Sequence, residues 1–137
     1  MSRLMSEVCA LRSKRMLNTS PLELMLLSAS VEGNRVRIFK TAGGEPIGYM
    51  AWMSLTPESI RYVRDRRALP PYSYEWAEGR LMMVFDVVIA PGWSKVVLDQ
   101  MASYLSCEKL VSYYKRSCVR YIRRSSLKKY VNTKVVY

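Results

Sequence analysis

The chain has 137 residues, half of them apolar, and carries 22 basic against 11 acidic residues without a single histidine. This length supports one core of ordinary size and not two, so residues 1–137 are predicted to form a single domain. The missing histidine excludes imidazole metal sites, Ser-His-Asp triads and Cys-His nucleophile pairs. Three widely spaced cysteines without a CxxC pair are expected to be free thiols, and neither a metal site nor a bound cofactor is predicted.

The positive charge lies mostly near the end of the sequence. Residues 1–108 hold 13 basic and 11 acidic groups, whereas the tail from about residue 109 holds 9 basic groups and no acidic one. Such a tail attracts an acidic protein, a nucleic acid or an anionic membrane surface, and charge does not choose among them. No apolar run has the length of a signal peptide or of a membrane span of roughly 18–20 residues, so a cytoplasmic location is expected.

The first half of the chain predicts two helices and a hairpin. Residues 3–16 carry apolar side chains at helical spacing, which predicts a short helix. Ser20, Pro21 and Glu23 form a helix start with the pattern of a capping box, and the helix should run from 21 to about 29. Residues 35–40 and 46–54 alternate in the manner of strands across the Gly43-Gly44 turn, so they predict a β-hairpin.

The second half predicts a sheet flanked by helices. A helix should begin at Thr56-Pro57 with a basic outer face, formed by Arg61, Arg64, Asp65, Arg66 and Arg67. Residues 81–90 are apolar at consecutive positions, which is typical of a central strand buried on both faces. A helix capped by Ser94 should extend to Leu105, and one late strand is expected near Val119–Ile122. Strands separated by helices indicate an α/β or α+β fold.

Three stretches of the sequence resemble one known family. They are Ser20-Pro21-Leu22, the segment EPIGYMAWMSL at 45–55, and the segment EWAEGRLMMVFDVVIAP at 75–91. In order and spacing they are similar to the toxin-activating lysine acyltransferases. The third stretch is the most specific, because it combines a tryptophan, a glycine before the strand, a single aspartate inside an apolar strand, and an Ile-Ala-Pro exit.

The resemblance implies a fold similar to the acetyltransferases of the GNAT type, with a mostly antiparallel central sheet flanked by helices. It also implies a homodimer that moves a fatty acyl group from acyl carrier protein to lysines of a protoxin or similar protein. Residues 90–95 lack an Arg-x-x-Gly-x-Gly phosphate loop, which suits a carrier-protein donor better than free coenzyme A. The acidic carrier would dock on Arg120, Arg123 and Arg124, or on the basic face of the helix after Thr56.

The candidate catalytic residues are Asp86, Glu23 and Ser20. The position of the family's functional histidine is occupied here by Glu23. Glu23 is expected to act either as a catalytic base or as the capping-box partner of Ser20. Asp86 interrupts an apolar strand and must be paired or functional. It either forms a structural salt bridge with an arginine or orients and deprotonates the incoming lysine, whose ordinary pKa of about 10.4 leaves it charged at neutral pH.

Two other functions stay open at the level of the sequence. A catalytically impaired relative would keep the fold as a protein-binding module, because the family's histidine is replaced. A small nucleic-acid binder would use the positive charge and the ten tyrosines, although no recognisable nucleic-acid motif is present.

Overall fold

The computed structural model describes residues 2–108, 111–115 and 118–122. In chain order, its helices are α1 (Arg3–Lys14), α2 (Pro21–Glu32), α3 (Pro57–Arg66) and α4 (Ser94–Leu105), with a short 3₁₀ helix at Ser73–Ala77. The strands are β1 (Val36–Lys40), β2 (Pro46–Leu55), β3 (Leu81–Ile89), β4 (Val111–Lys115) and β5 (Cys118–Ile122). The protein is therefore a mixed α/β structure, as the sequence predicts.

The five strands form one sheet in the order β1-β2-β3-β4-β5. All neighbours are antiparallel except β3 and β4, which are parallel and are connected through α4. The central strand predicted at 81–90 is the middle strand of the sheet. The late strand predicted near Val119–Ile122 is confirmed as β5, which pairs with a further strand, β4, that the sequence did not predict. The sequence does not indicate β4 because a polar residue, Ser112, is buried in it and interrupts the alternation of apolar and polar residues. The Ser112 hydroxyl donates to the Met82 carbonyl at 3.2 Å.

Helices cover both faces of the sheet. On the front face, α1, α2 and α3 pack on β2 and β3 through two clusters of apolar side chains, centred on residues such as Leu11, Tyr49 and Val63. On the back face, α4 packs through Val97 and Leu105 against a third cluster. This double coverage explains why β3 is apolar at consecutive positions.

Three of the helices begin at a hydroxyl cap. The side chains of Ser2, Ser20 and Thr56 accept hydrogen bonds from the backbone N–H groups of Met5, Glu23 and Ser59, each three residues later. The predicted cap of α4 was wrong: Ser94 is the first helical residue, and Trp93 precedes it without a side-chain cap bond. The Pro91-Gly92 turn, with Gly92 at φ +85°, sets the start of this helix instead.

Gly79 shows why the segment before β3 needs a glycine. Its N–H donates to the Ser54 carbonyl at 3.0 Å. A Cβ at this position would lie 1.9 Å from the carbonyl of Leu55. The chain before β3 therefore crosses the end of β2 in backbone contact, and only glycine fits there.

Candidate functional site

A bulge in β3 places Asp86 on the front face. Asp86 lies opposite Ala51 and Val84 lies opposite Trp52, so Phe85 is an extra residue in the strand. Val84 faces α4 on the back, whereas Phe85 packs with the front clusters. The bulge thus reverses the alternation of β3, and Asp86 points toward α1 and α2.

Arg12 of α1 is the hub of the site. Its side chain is only 6% exposed, and all five of its N–H donors are used. Nη1 donates to Asp86 Oδ2 at 2.9 Å and to the Tyr49 hydroxyl at 3.2 Å. Nη2 donates to Glu23 Oε2 at 2.6 Å and to the Asn18 carbonyl at 3.0 Å, and Nε donates to Thr19 Oγ1 at 2.9 Å. One guanidinium therefore joins α1, the α1–α2 loop, α2 and the sheet.

The three predicted catalytic residues meet at this hub. Glu23 and Asp86 bind the same guanidinium, and the Ser20 hydroxyl donates to Glu23 Oε1 at 3.1 Å. The cap of α2 forms as predicted, since Ser20 Oγ accepts from the Glu23 N–H. The second half of the predicted capping box does not form: the Glu23 carboxylate binds Arg12 and the Ser20 hydroxyl, because a buried guanidinium is a stronger partner than a backbone N–H.

Asp86 is held at one oxygen and open at the other. Oδ2 accepts from Arg12 and from the Tyr49 hydroxyl, the latter at 2.5 Å. Oδ1 makes no hydrogen bond with the described residues and is not sealed from solvent, and the side chain is 22% exposed. The predicted salt bridge to an arginine is present, and it leaves one carboxylate oxygen able to accept a hydrogen bond from a ligand.

Burial sets the protonation behaviour of the cluster. It raises the pKa of Asp86 above its ordinary value, which the hydrogen bond from Tyr49 and the charge of Arg12 only partly offset. Burial and the neighbouring Asp86 charge also raise the pKa of the Tyr49 phenol. Burial alone would lower the pKa of Arg12, but the hydrogen bond to Tyr49 and the two carboxylates outweigh it and raise that pKa. Arg12 stays charged and Tyr49 stays neutral.

The cluster has a net negative charge inside a strongly basic chain. With Arg12, Asp86 and Glu23 ionised, one positive charge faces two negative ones. Glu23 is 48% exposed, so its charge reaches the surface, and it shares the Arg12 guanidinium with Asp86. A net negative site of this kind favours a cation, such as the ammonium of a lysine.

The parallel pair β3 and β4 is open beside Asp86. The two strands are paired only from Met82 to Val84 on β3. Beyond that point β3 continues to Ile89 and β4 to Lys115 without pairing with each other, although β3 stays paired with β2 and β4 with β5. Three apolar side chains on the C-terminal side of this opening are exposed. Val87 lies on the back of β3, Trp93 directly precedes α4, and Val96 lies in the first turn of α4.

Of the predicted carrier-docking residues, the structure describes Arg120, which makes no contact with the Arg12 cluster. Arg120 is exposed on β5, opposite Tyr113, and forms no ion pair with the described residues. Arg123 and Arg124 lie outside the described residues. The rival basic face of α3 is exposed as predicted, but Arg61 and Arg64 have acidic neighbours at 3.7 and 3.2 Å.

The following observations concern metal ligands, membrane spans, cysteines and cavities in the described part of the chain. No group of three or more potential metal ligands occurs among them. No helix in the described part of the chain has both the length and the apolar character needed to span a bilayer. The three cysteines are free thiols. A groove of about 790 Å³ between β1 and α4 includes none of the Arg12 cluster.

Sequence reasoning missed Arg12 and Tyr49. The signal for Arg12 was its place on the buried face of α1, one turn after Val8 and beside Leu11. A charged residue at such a position needs a buried partner, and Asp86 was the carboxylate in need of one.

Comparisons of the sequence with known protein families and with curated proteins find no match.

Proposed function

We propose that this chain is a protein-lysine acyltransferase that accepts a fatty acyl group from acyl carrier protein. The observation that carries the proposal is the convergence of Glu23 and Asp86 on Arg12, with Ser20 bonded to Glu23. Ser20 and Asp86 come from segments that resemble the toxin-activating acyltransferases, and Glu23 occupies the position of that family's histidine. Together with Arg12 they form one net negative cluster. The acceptor lysine would donate to Asp86 Oδ1, while Arg12 and Tyr49 hold Oδ2.

Asp86 is the proposed base. A carboxylate at its ordinary pKa is a weak base for an ammonium, and burial moves the pKa of Asp86 upward, in the useful direction. In the reaction, the lysine ammonium first gives one proton to Asp86, which passes it to water. The neutral amine then forms a C–N bond with the thioester carbonyl carbon. The C–S bond breaks, and the departing thiolate takes up the second proton of the amine.

Glu23 is proposed as an electrostatic partner in this scheme. Its carboxylate is half exposed and bound to Arg12 at 2.6 Å, so it contributes negative charge for the lysine while Asp86 takes the proton. The opening between β3 and β4 supports a donor site, because ligands in sheets with parallel strands bind beyond the carboxyl ends of those strands. The exposed Val87, Trp93 and Val96 would contact the acyl chain.

The test uses acyl carrier proteins loaded with alkyne-tagged fatty acids of several chain lengths. The wild-type protein and a lysate of cells expressing it are incubated with each donor, and labelled proteins are detected after click chemistry. The proposal expects labelling that survives hydroxylamine, which removes thioesters and leaves amides. Label that hydroxylamine removes, or no label with any donor, contradicts the proposal.

A second candidate is a non-catalytic module that keeps this fold and binds a protein partner. The tight pairing of Glu23 with Arg12 favours it, because a carboxylate fixed in an ion pair is poorly suited to replace a histidine base. In this case no transfer occurs, and Asp86→Asn leaves binding of the partner nearly unchanged. In the enzyme, Asp86→Asn abolishes transfer.

A further inference from the structure

Helix α2 carries large apolar side chains on its exposed side as well as on its buried side, which is unusual for a helix at a protein surface. Leu26 and Leu27 are buried against the sheet, whereas Leu22, Leu24 and Met25 are about half exposed. The loop before the helix adds two more exposed apolar side chains, Met16 and Leu17. These five residues, Met16, Leu17, Leu22, Leu24 and Met25, are called the α2 patch below.

The α2 patch is connected to the Arg12 cluster through the backbone of α2 and of the loop before it. Leu22 and Leu24 are the neighbours of Glu23 in the chain. The Leu17 N–H donates to the Arg12 carbonyl at 3.0 Å. Between them, Asn18 and Thr19 both accept hydrogen bonds from the Arg12 guanidinium. The same buried arginine therefore fixes the loop that carries the patch and the carboxylates beside it.

Met16 is the most exposed residue of the α2 patch. Its φ is +55°, in the left-handed region, and its side chain is 91% exposed. This conformation is common after the last turn of a helix, and here the Met16 and Leu17 N–H groups donate to the Ser13 and Arg12 carbonyls of α1 at 2.9 and 3.0 Å. An exposed methionine beside exposed leucines is typical of a surface that contacts a partner.

We infer that the α2 patch and the Arg12 cluster form one acceptor-docking surface, which binds an apolar segment carrying a lysine. The inference rests on the proposed function for the role of Asp86 as the lysine acceptor. Charge selects this occupant: an apolar patch alone would accept any apolar partner, but the net negative cluster beside it needs a cation. The substrate class is therefore an amphipathic segment with a lysine on its apolar face, rather than a lysine in a polar loop.

The inference is tested by equilibrium binding without an acyl donor. The probe is a fluorescein-labelled amphipathic peptide with one lysine at the centre of its apolar face, followed by anisotropy. One matched peptide has acetyl-lysine at that position, and the other has glutamine in place of the flanking leucines. Each change should weaken binding by about tenfold or more.

The second part of the test keeps the lysine peptide and changes residues of the protein. Leu22→Gln combined with Met25→Gln should weaken binding of the lysine peptide by about tenfold, and Asp86→Asn should remove the preference for lysine over acetyl-lysine. Both leucine and methionine are exposed, so the double variant should fold. Tyr74→Gln, an equally exposed aromatic position on the 3₁₀ helix, is the control and should leave binding unchanged.

Three results would overturn the inference. Equal affinity for the lysine and acetyl-lysine peptides would show a purely apolar surface. Binding to vesicles of anionic lipid that depends on Leu22 and Met25, with no binding of the peptide, would assign the patch to a membrane. Loss of a dimer in the double variant, without peptide binding by the wild type, would assign it to a second copy of the chain. Because the binding assay contains no donor, its outcome does not depend on transfer: lysine-dependent binding here, together with no label in the transfer assay, would refute the proposed function alone.

Discussion

Among the described residues, Arg12 is buried and Arg35 is partly buried, and their surroundings differ. Arg12 has five hydrogen bonds, two of them to carboxylates, and its pKa is raised. Arg35 follows α2, where Nη2 donates to the Ala29 carbonyl at 3.1 Å. Its Nε is buried without a partner among the described residues, and burial lowers its pKa. The two guanidinium groups therefore differ in their partners: Arg12 binds two carboxylates, one of which keeps an oxygen open to a ligand, whereas Arg35 binds a backbone carbonyl.

The position of Arg35 has a structural explanation. The side chain lies over Gly33, where a Cβ would fall 2.0 Å from Nη1, and its charge is near the C-terminal end of α2. A cation stabilises the negative end of a helix dipole. Arg35 thus stabilises the C-terminal end of α2, whereas Arg12 links α1, the α1–α2 loop, α2 and the sheet.

The largest expected effect is that of Arg12→Met. It leaves Asp86 without its countercharge and removes the bonds that hold the α1–α2 loop, so the free energy of unfolding should fall by about 3–5 kcal/mol. Urea unfolding at neutral pH measures this loss. The matched control is Arg35→Met, which should change the free energy by no more than about 0.5 kcal/mol. Equal losses in the two variants would contradict the distinction between the two arginines.

A smaller effect is expected for the coupling of Arg12 with Asp86. In the Arg12→Met background, Asp86→Asn should restore about 1–2 kcal/mol, since it removes an unpaired buried carboxylate. In the wild type the same substitution should cost less than about 1 kcal/mol, because asparagine can keep the contacts at Oδ2. Additive effects in this double-mutant cycle would show that the two side chains do not interact.

The smallest expected effect is the pH dependence contributed by Asp86. Its pKa is raised in the folded state, so the protonated carboxyl stabilises the fold fully below the unfolded pKa, and this contribution is lost as the pH rises through the folded pKa. The wild type should therefore gain stability relative to Asp86→Asn when urea unfolding is repeated at pH 4 instead of pH 7. A relative loss at pH 4 would mean that the contacts with Tyr49 and Arg12 outweigh burial, so that the pKa of Asp86 is lowered in the folded state.

Much of the fold followed from local sequence signals. The cap of α2 at Ser20, the two-sided burial of β3 and the hairpin of β1 and β2 each depend on residues close together in the chain. The predictions failed where the pattern was short or mixed. β4 has five residues with a buried serine, and the start of α4 is set by a glycine turn rather than by Ser94.

The site was predictable only in part. Asp86 was conspicuous because a carboxylate in an apolar strand needs a partner. The identity of that partner was hidden, since 74 positions separate Arg12 from Asp86 and nothing local links them. The bulge at Phe85, which turns Asp86 toward α1, has no marker in an apolar run. Glu23 was correctly placed at the cap of α2, but its binding to Arg12 depends on the packing of α1 against α2.

The most direct test of the central claim compares acyl transfer by the wild type, Asp86→Asn and Arg35→Met. The readout is hydroxylamine-resistant label on lysine, located by mass spectrometry of the acceptor. The account predicts transfer by the wild type and by Arg35→Met, and none by Asp86→Asn, because Asp86 Oδ1 receives the lysine and takes its proton. Transfer by Asp86→Asn at the wild-type rate would show that the Arg12 cluster is structural.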